Sequence, residues 1–223
     1  MKRTALLIFL SLFVTYGWSQ SMFIHFKNGQ TTEFNSNNIE YVEFKETTDN
    51  TTVTSGAAVD LGLSVKWASQ NIGTTSPEQF GDKFSWGETS AKSSFNRDNY
   101  AYFDSNTYSY IDIGTDIKGT SYDVAHVKWG NGWRLPTYDE CKELIEKCSR
   151  EWVSINGIYG YKFTGNNGNS IFFPVQDTNT HYWTSNLCDR NDCAYELVII
   201  TASVHFYGEV REKWSFVRPV CPK

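Results

Sequence analysis

Cys188 and Cys193 bracket Asp189, Arg190, Asn191 and Asp192, a spacing that suits a reactive thiolate pair or a short loop closed by a disulfide. A thiolate wants an electropositive setting, and Arg190 is the only cation between them, so the disulfide is the expected state. Cys141 and Cys148 fall seven apart in an expected helix, about 10 Å along its axis and too far to bridge each other. A bridge from one of them to Cys221 stays open. His25, His126, His181 and His205 lack His-Glu-x-x-His spacing, and neither Gly-x-Ser-x-Gly nor a phosphate-cradling glycine loop occurs. Asp177, Asn179, Asn186, Asp189 and Asp192 offer oxygens that suit calcium, but they are also the residue types that build turns. The densest binding chemistry is aromatic: Phe95, Tyr100, Tyr102, Phe103, Tyr108 and Tyr110 crowd positions 95–110. Tyrosine in a loop gives rigid, amphipathic contact area for a glycan or a protein, and the same rings also serve to pack a loop onto its own core.

These groups sit in a chain of 223 residues that is 40% hydrophobic and 16% aromatic, a composition with enough apolar surface for a sizeable core. Its net charge of −5, without a Lys/Arg cluster, excludes phosphate-neutralising nucleic-acid binding as the expected role. Met1-Lys2-Arg3 followed by the apolar run 5–14 reads as a secretory signal, cut after Ser19, with Gly17 and Ser19 as the small residues before the cut. That implies export, with a secreted, periplasmic or cell-surface destination, in which cysteines oxidise. No later stretch is apolar enough for a membrane span.

Residues 20–44 read as a small β unit: Met22, Ile24 and Phe26 alternate with polar residues, Asn28-Gly29 is a hairpin turn, and 39–44 is a further short strand. Residues 45–56 are polar and read as a linker, leaving 57–221 as one domain. Short strands are expected at 64–69, 83–86, 159–164, 170–173, 182–185, 195–201, 204–207 and 215–220, with a long loop over 89–119. Thr137 and Glu140 form a capping box, and Cys141, Leu144, Ile145 and Cys148 repeat with a helical period, so one helix over 138–148 buries that face. Its acids, Asp139, Glu143 and Glu146, are a solvated face. One main helix among many short strands makes the fold class α+β with a β-rich core.

Ala58-Val59-Asp60-Leu61-Gly62-Leu63-Ser64-Val65-Lys66-Trp67-Ala68, Trp86-Gly87-Glu88-Thr89, Trp133-Arg134-Leu135-Pro136-Thr137, Gly165-Asn166-Asn167-Gly168-Asn169-Ser170-Ile171-Phe172-Phe173-Pro174, Tyr182-Trp183-Thr184-Ser185 and Val217-Arg218-Pro219-Val220 follow one another in an order and spacing that resembles the Fibrobacter succinogenes major paralogous domain. The resemblance implies a C-type-lectin-like fold over 57–220, related to the formylglycine-generating sulfatase-modifying enzymes. It also implies that the segments near Trp67 and Val217 lie side by side, with Trp67, Trp133, Arg134, Trp183 and Arg218 in structural roles.

Activity does not travel with a fold. The calcium and sugar triplets of true C-type lectins, Glu-Pro-Asn or Gln-Pro-Asp with Trp-Asn-Asp, are absent, so no cofactor is expected. In the formylglycine-generating enzymes the cysteine pair follows a later strand. Here Cys188 and Cys193 come directly after Trp183-Thr184-Ser185, and 205–207 fills the later place without cysteine. The expected function is therefore a non-catalytic exported binding module for a glycan or surface protein, with Tyr100, Tyr102, Phe103, Tyr108 and Tyr110 as its recognition face. An enzyme of the formylglycine-generating class and a structural subunit of a surface assembly are the two rival readings.

Overall fold

The structure, a computed structural model, describes residues 21–25, 31–35 and 55–223. The signal segment 1–19, the Asn28-Gly29 turn, the strand expected at 39–44 and most of the linker lie outside these residues. The chain divides into two compact units, Met1–Asn50 and Thr51–Lys223. In the first, β1 (Ser21–His25) pairs antiparallel with β2 (Thr31–Asn35), Ser21 opposite Asn35 and His25 opposite Thr31.

The second unit is β-rich with short sheets. β3 (Ala58–Asp60) and β13 (Val220–Cys221) flank β4 (Lys66–Ala68), with Val59 and Val220 both opposite Trp67. Outside this ladder, Ala68 and Ile72 donate to the carbonyls of Pro219 and Val217, so the two ends of the unit lie side by side. Between them run β5 (Phe103–Asp104) paired with β6 (Ser109–Tyr110), then β7 (Ser149–Ile155), β8 (Ile158–Thr164) and β9 (Ser170–Pro174) in one meander. A second meander holds β10 (Asn179–Leu187), β11 (Cys193–Ile200) and β12 (Ser203–Val210).

Two helices support the sheets. The main one, α2 (Tyr138–Lys147), begins at the Thr137 capping box: Thr137 Oγ1 accepts from the Glu140 amide at 3.2 Å, while Glu140 Oε2 accepts from the Thr137 amide at 2.8 Å. It buries Cys141 and Leu144 against Trp67, Phe163, Phe173 and Tyr182, and Cys148 closes it as C-cap. The shorter helix, α1 (Val124–Trp129), had no counterpart in the sequence reading. Its cap Asp123 is fully buried and accepts from the amides of Gly119, Ala125, His126 and Leu135, tying the helix to the segment that leads into α2. Burial raises the Asp123 pKa even though those four amides pull it down.

Strand β10 joins the two cores, because neighbouring strand side chains point to opposite faces. Tyr182 enters the core of Trp67 and Phe173, whereas Trp183 enters that of Trp86, Trp129 and Trp133. The indoles are fixed by hydrogen bonds: Trp183 Nε1 donates to the Phe84 carbonyl at 2.7 Å and Trp86 Nε1 to the Thr184 carbonyl at 3.0 Å. Arg134 is held by Glu140 in a two-pronged ion pair at 2.6 and 2.8 Å.

The expected strand at 83–86 reduces to a single bridge, Phe84 with Ser215, and that at 215–220 to its last residue. The reason is local. Phe216 bonds the 181–183 segment while Val217 and the Arg218 side chain bond the 71–72 segment, and Pro219 has no amide to continue a ladder. Cys188 and Cys193 are joined as a disulfide with Cα atoms 5.6 Å apart, while Cys141, Cys148 and Cys221 are free, so the open pairing with Cys221 is not made.

On β11, Glu196 is fully buried, accepting from His181 Nδ1 at 2.7 Å and from the Ser215 hydroxyl. The carboxylate bond lifts the His181 pKa above 6.5 against the opposing effect of burial, and burial lifts that of Glu196 against its pull from His181. A pKa raised in the folded state gives stability that is complete below the unfolded value and lost as pH rises through the folded one. The melting temperature therefore declines as pH climbs above 6.5 through the raised His181 pKa, in low-salt thermal scans. The neutral pair His181→Asn with Glu196→Gln removes this decline. An unchanged slope in that double variant counts against the assignment.

Candidate functional site

The aromatic stretch 95–110 forms two layers. Gly87, at φ +84°, turns the chain under the loop where a Cβ would strike Ile113 and Tyr102. Asn96 caps a single 3-10 turn, Arg97–Asn99, by accepting from the Asn99 amide at 3.1 Å, and Glu88 accepts from the Ala101 amide at 2.9 Å. Lys92 closes the same corner on Glu88 at 2.6 Å.

The inner layer is built around Arg211, which is buried and, among the described residues, pairs with no carboxylate. Its guanidinium donates to the Tyr100 hydroxyl at 2.9 Å and to the carbonyls of Asn191 and Ile111 at 3.0 and 3.1 Å. It also lies 5.1 Å from the Trp86 ring centre. Tyr100 donates in turn to the Trp86 carbonyl at 2.7 Å. At 3% exposure Tyr100 is a core residue, which corrects its expected place on the recognition face. Burial pushes its phenol pKa far up. Tyr102 packs edge-on to Tyr100 and Tyr122 and is half-buried.

The outer layer stands on Tyr110, whose hydroxyl donates to Glu212 Oε2 at 2.7 Å. Burial first, and the Glu212 bond second, push its pKa up to about 12. Phe103, opposite Tyr110 in the β5–β6 ladder, meets Tyr110 and Tyr108 edge-on at 5.2 and 5.3 Å. Arg97 lies over all three rings at 5.1, 5.4 and 5.7 Å and donates to the Tyr108 hydroxyl at 3.0 Å. Tyr108, at φ +52°, is 73% exposed, and Ile111, three positions on, is 45% exposed. Phe95 instead leans on Trp214.

The structure thus divides the expected face. Tyr108 reaches outward, Tyr102, Phe103 and Tyr110 stand half-buried, and Tyr100 is inside. Arg97 and Ile111 belong to the same surface and were missed; the aromatic count carried no signal for an arginine or an aliphatic neighbour. The arrangement offers stacking area, a delocalised cation and a phenol, with no nucleophile among them.

Of the residues with calcium-type oxygens, Asn186 Oδ1 accepts from the Tyr138 amide and Asp192 pairs with Arg190. Among the described residues no group of three or more His, Cys, Asp and Glu side chains is placed to hold a metal ion. His126 and His205 are exposed and separate from the aromatic cluster. No described helix is long and apolar enough to cross a membrane. No family model, curated protein or solved structure matches the chain.

Proposed function

We propose that the protein is an exported, non-catalytic recognition module of the major paralogous domain type, with a C-type-lectin-like arrangement, and that it binds the surface of another protein. The architectural part draws support from the side-by-side ends of the unit, the single main helix and the long loops between short sheets. The functional part rests on one observation: exposed Tyr108 and Ile111, with half-buried Arg97 and Phe103, stand on a hydrogen-bonded inner layer. Tyr and Arg are the residue types that dominate protein-interface energetics, and preordering their side chains lowers the entropic cost of binding. Joining Cys188 to Cys193 accords with a staple in place of a thiolate pair.

Binding of the secreted protein to the surface-protein fraction of the cells that make it, read by biosensor, tests this reading. Tyr108→Ala weakens the interaction by about tenfold or more, a loss of roughly 1.4 kcal/mol, with unchanged melting temperature. Equal binding by the folded variant would remove the 97–111 surface from the account.

A further inference from the structure

A different surface, sharing no residue with the 97–111 face, has the chemistry of a carbohydrate site. A groove of about 520 Å³ runs between the β7–β8 hairpin and the turn after β9, and its lining includes Phe80, Trp152, Tyr159, Val175, Gln176 and Asp177. That volume is in the range of small-ligand sites. We propose that this groove binds a neutral oligosaccharide without calcium.

The register of the hairpin builds the aromatic floor. Trp152 opposes Tyr161 and Ser154 opposes Tyr159, so Trp152 and Tyr159 are diagonal neighbours on one face. Their rings are 9° from parallel with centres 6.2 Å apart. Tyr161 holds the indole from behind, edge-on at 5.0 Å, while its own hydroxyl is anchored on the Thr201 carbonyl at 3.0 Å. Phe80 is fixed by stacking on Phe216, 6.0 Å away. The rings are thus held by the fold, yet Tyr159 remains 58% exposed. An exposed ring lying parallel to a second aromatic offers an open stacking surface.

The polar groups decide what covers it. The backbone of Gln176 is engaged, its amide donating to Thr180 Oγ1 at 2.6 Å, but its side-chain amide and the Asp177 carboxylate have no hydrogen-bond partner among the described residues. Asp177 sits at φ +53°, in the left-handed region, at the exposed tip of the turn. A pyranose matches this set: its C–H face rests on the negative face of an aromatic ring, and its hydroxyls donate to a carboxylate and exchange bonds with an amide. A plain apolar partner would leave Asp177 and Gln176 desolvated and unpaired, which is costly. Among the described residues no Lys or Arg lines the groove, so a uronate or sulfated sugar would meet an uncompensated carboxylate. The ligand class is therefore neutral hexose or pentose chains.

The test is calorimetric titration of the secreted protein, with tryptophan fluorescence in parallel, against cellohexaose, xylohexaose, mannohexaose and a β-galactohexaose, with a hexagalacturonate as acidic probe. At least one neutral hexaose binds with Kd below about 1 mM, and EDTA leaves the affinity unchanged. Tyr159→Ala, at an exposed ring, weakens binding about tenfold, Asp177→Asn several-fold, and Tyr108→Ala not at all. No heat with any neutral hexaose up to about 10 mM overturns the proposal, as do preferential binding of the galacturonate, loss of binding in EDTA, or equal affinity in folded Tyr159→Ala. Failure here leaves the protein-binding face untouched, because that face is read through Tyr108.

Discussion

Replacing Arg218 by Ala lowers the unfolding free energy of the second unit by about 3–5 kcal/mol, measured by urea denaturation. Arg218 is 1% exposed and its partners among the described residues include no carboxylate. Its guanidinium donates to Asn71 Oδ1 at 2.7 Å and to the carbonyls of Phe172 and Ala68 at 2.9 and 3.2 Å, and it lies 4.5 Å from the Phe173 ring centre. Burial without a counter-ion pushes its pKa down to about 10. One side chain thus ties the β4 end, the loop at Asn71 and strand β9. Truncation leaves three buried acceptors unpaired and a cavity where the stem ran. Arg218→Lys recovers little, since an ammonium cannot reach three divergent acceptors. A loss below about 1 kcal/mol for Arg218→Ala would show that the three segments hold without it.

Gly165→Ala is the second large effect, about 3 kcal/mol of destabilisation by the same measurement. A Cβ at Gly165 would overlap the backbone carbonyl of Leu61, a group that no side-chain rotation can move aside. The hairpin turn here is bolted to the 60–62 segment: the side-chain amides of Asn167 and Asn169 both donate to the Asp60 carbonyl at 2.8 Å. Relieving the overlap therefore breaks those bonds and lifts Leu61 from the core. Gly168 supplies the internal control, since its Cβ would meet nothing and only its φ of +84° opposes substitution. Gly168→Ala costs about 1 kcal/mol. Equal losses at both glycines would mean that backbone conformation, not the close approach, governs position 165.

The legible parts of this sequence were those with a local physical signature. Thr137 and Glu140 announced the start of α2, and Cys141, Leu144 and Cys148 announced its buried face. The six residues of α1 span under two turns, too short for a period, although Asp123 before an apolar pair is a cap signal that was there to find. β7 escaped because it is an edge strand whose first three residues, Ser149, Arg150 and Glu151, are exposed, so no alternation marks it. The disulfide followed from the short loop and its lack of a cationic setting, whereas the free state of Cys221 depends on the placement of distant segments. The aromatic site was half legible. Composition located the rings, but which ones face solvent is set by Arg211 and Glu212, about a hundred positions further along the chain. For the same reason the groove at Trp152 and Tyr159 was invisible before the β7–β8 register was known.

The central claim, that the 97–111 surface is where the protein meets its partner, is tested most directly by site-specific photo-cross-linking. A benzophenone amino acid is placed at Tyr108, exposed beside Arg97, and separately at Val127, an exposed position on α1, in otherwise native secreted protein. A discrete cross-linked adduct with a surface protein is expected from position 108 and none from position 127. Adducts of equal yield from both positions, or from 127 alone, would contradict it.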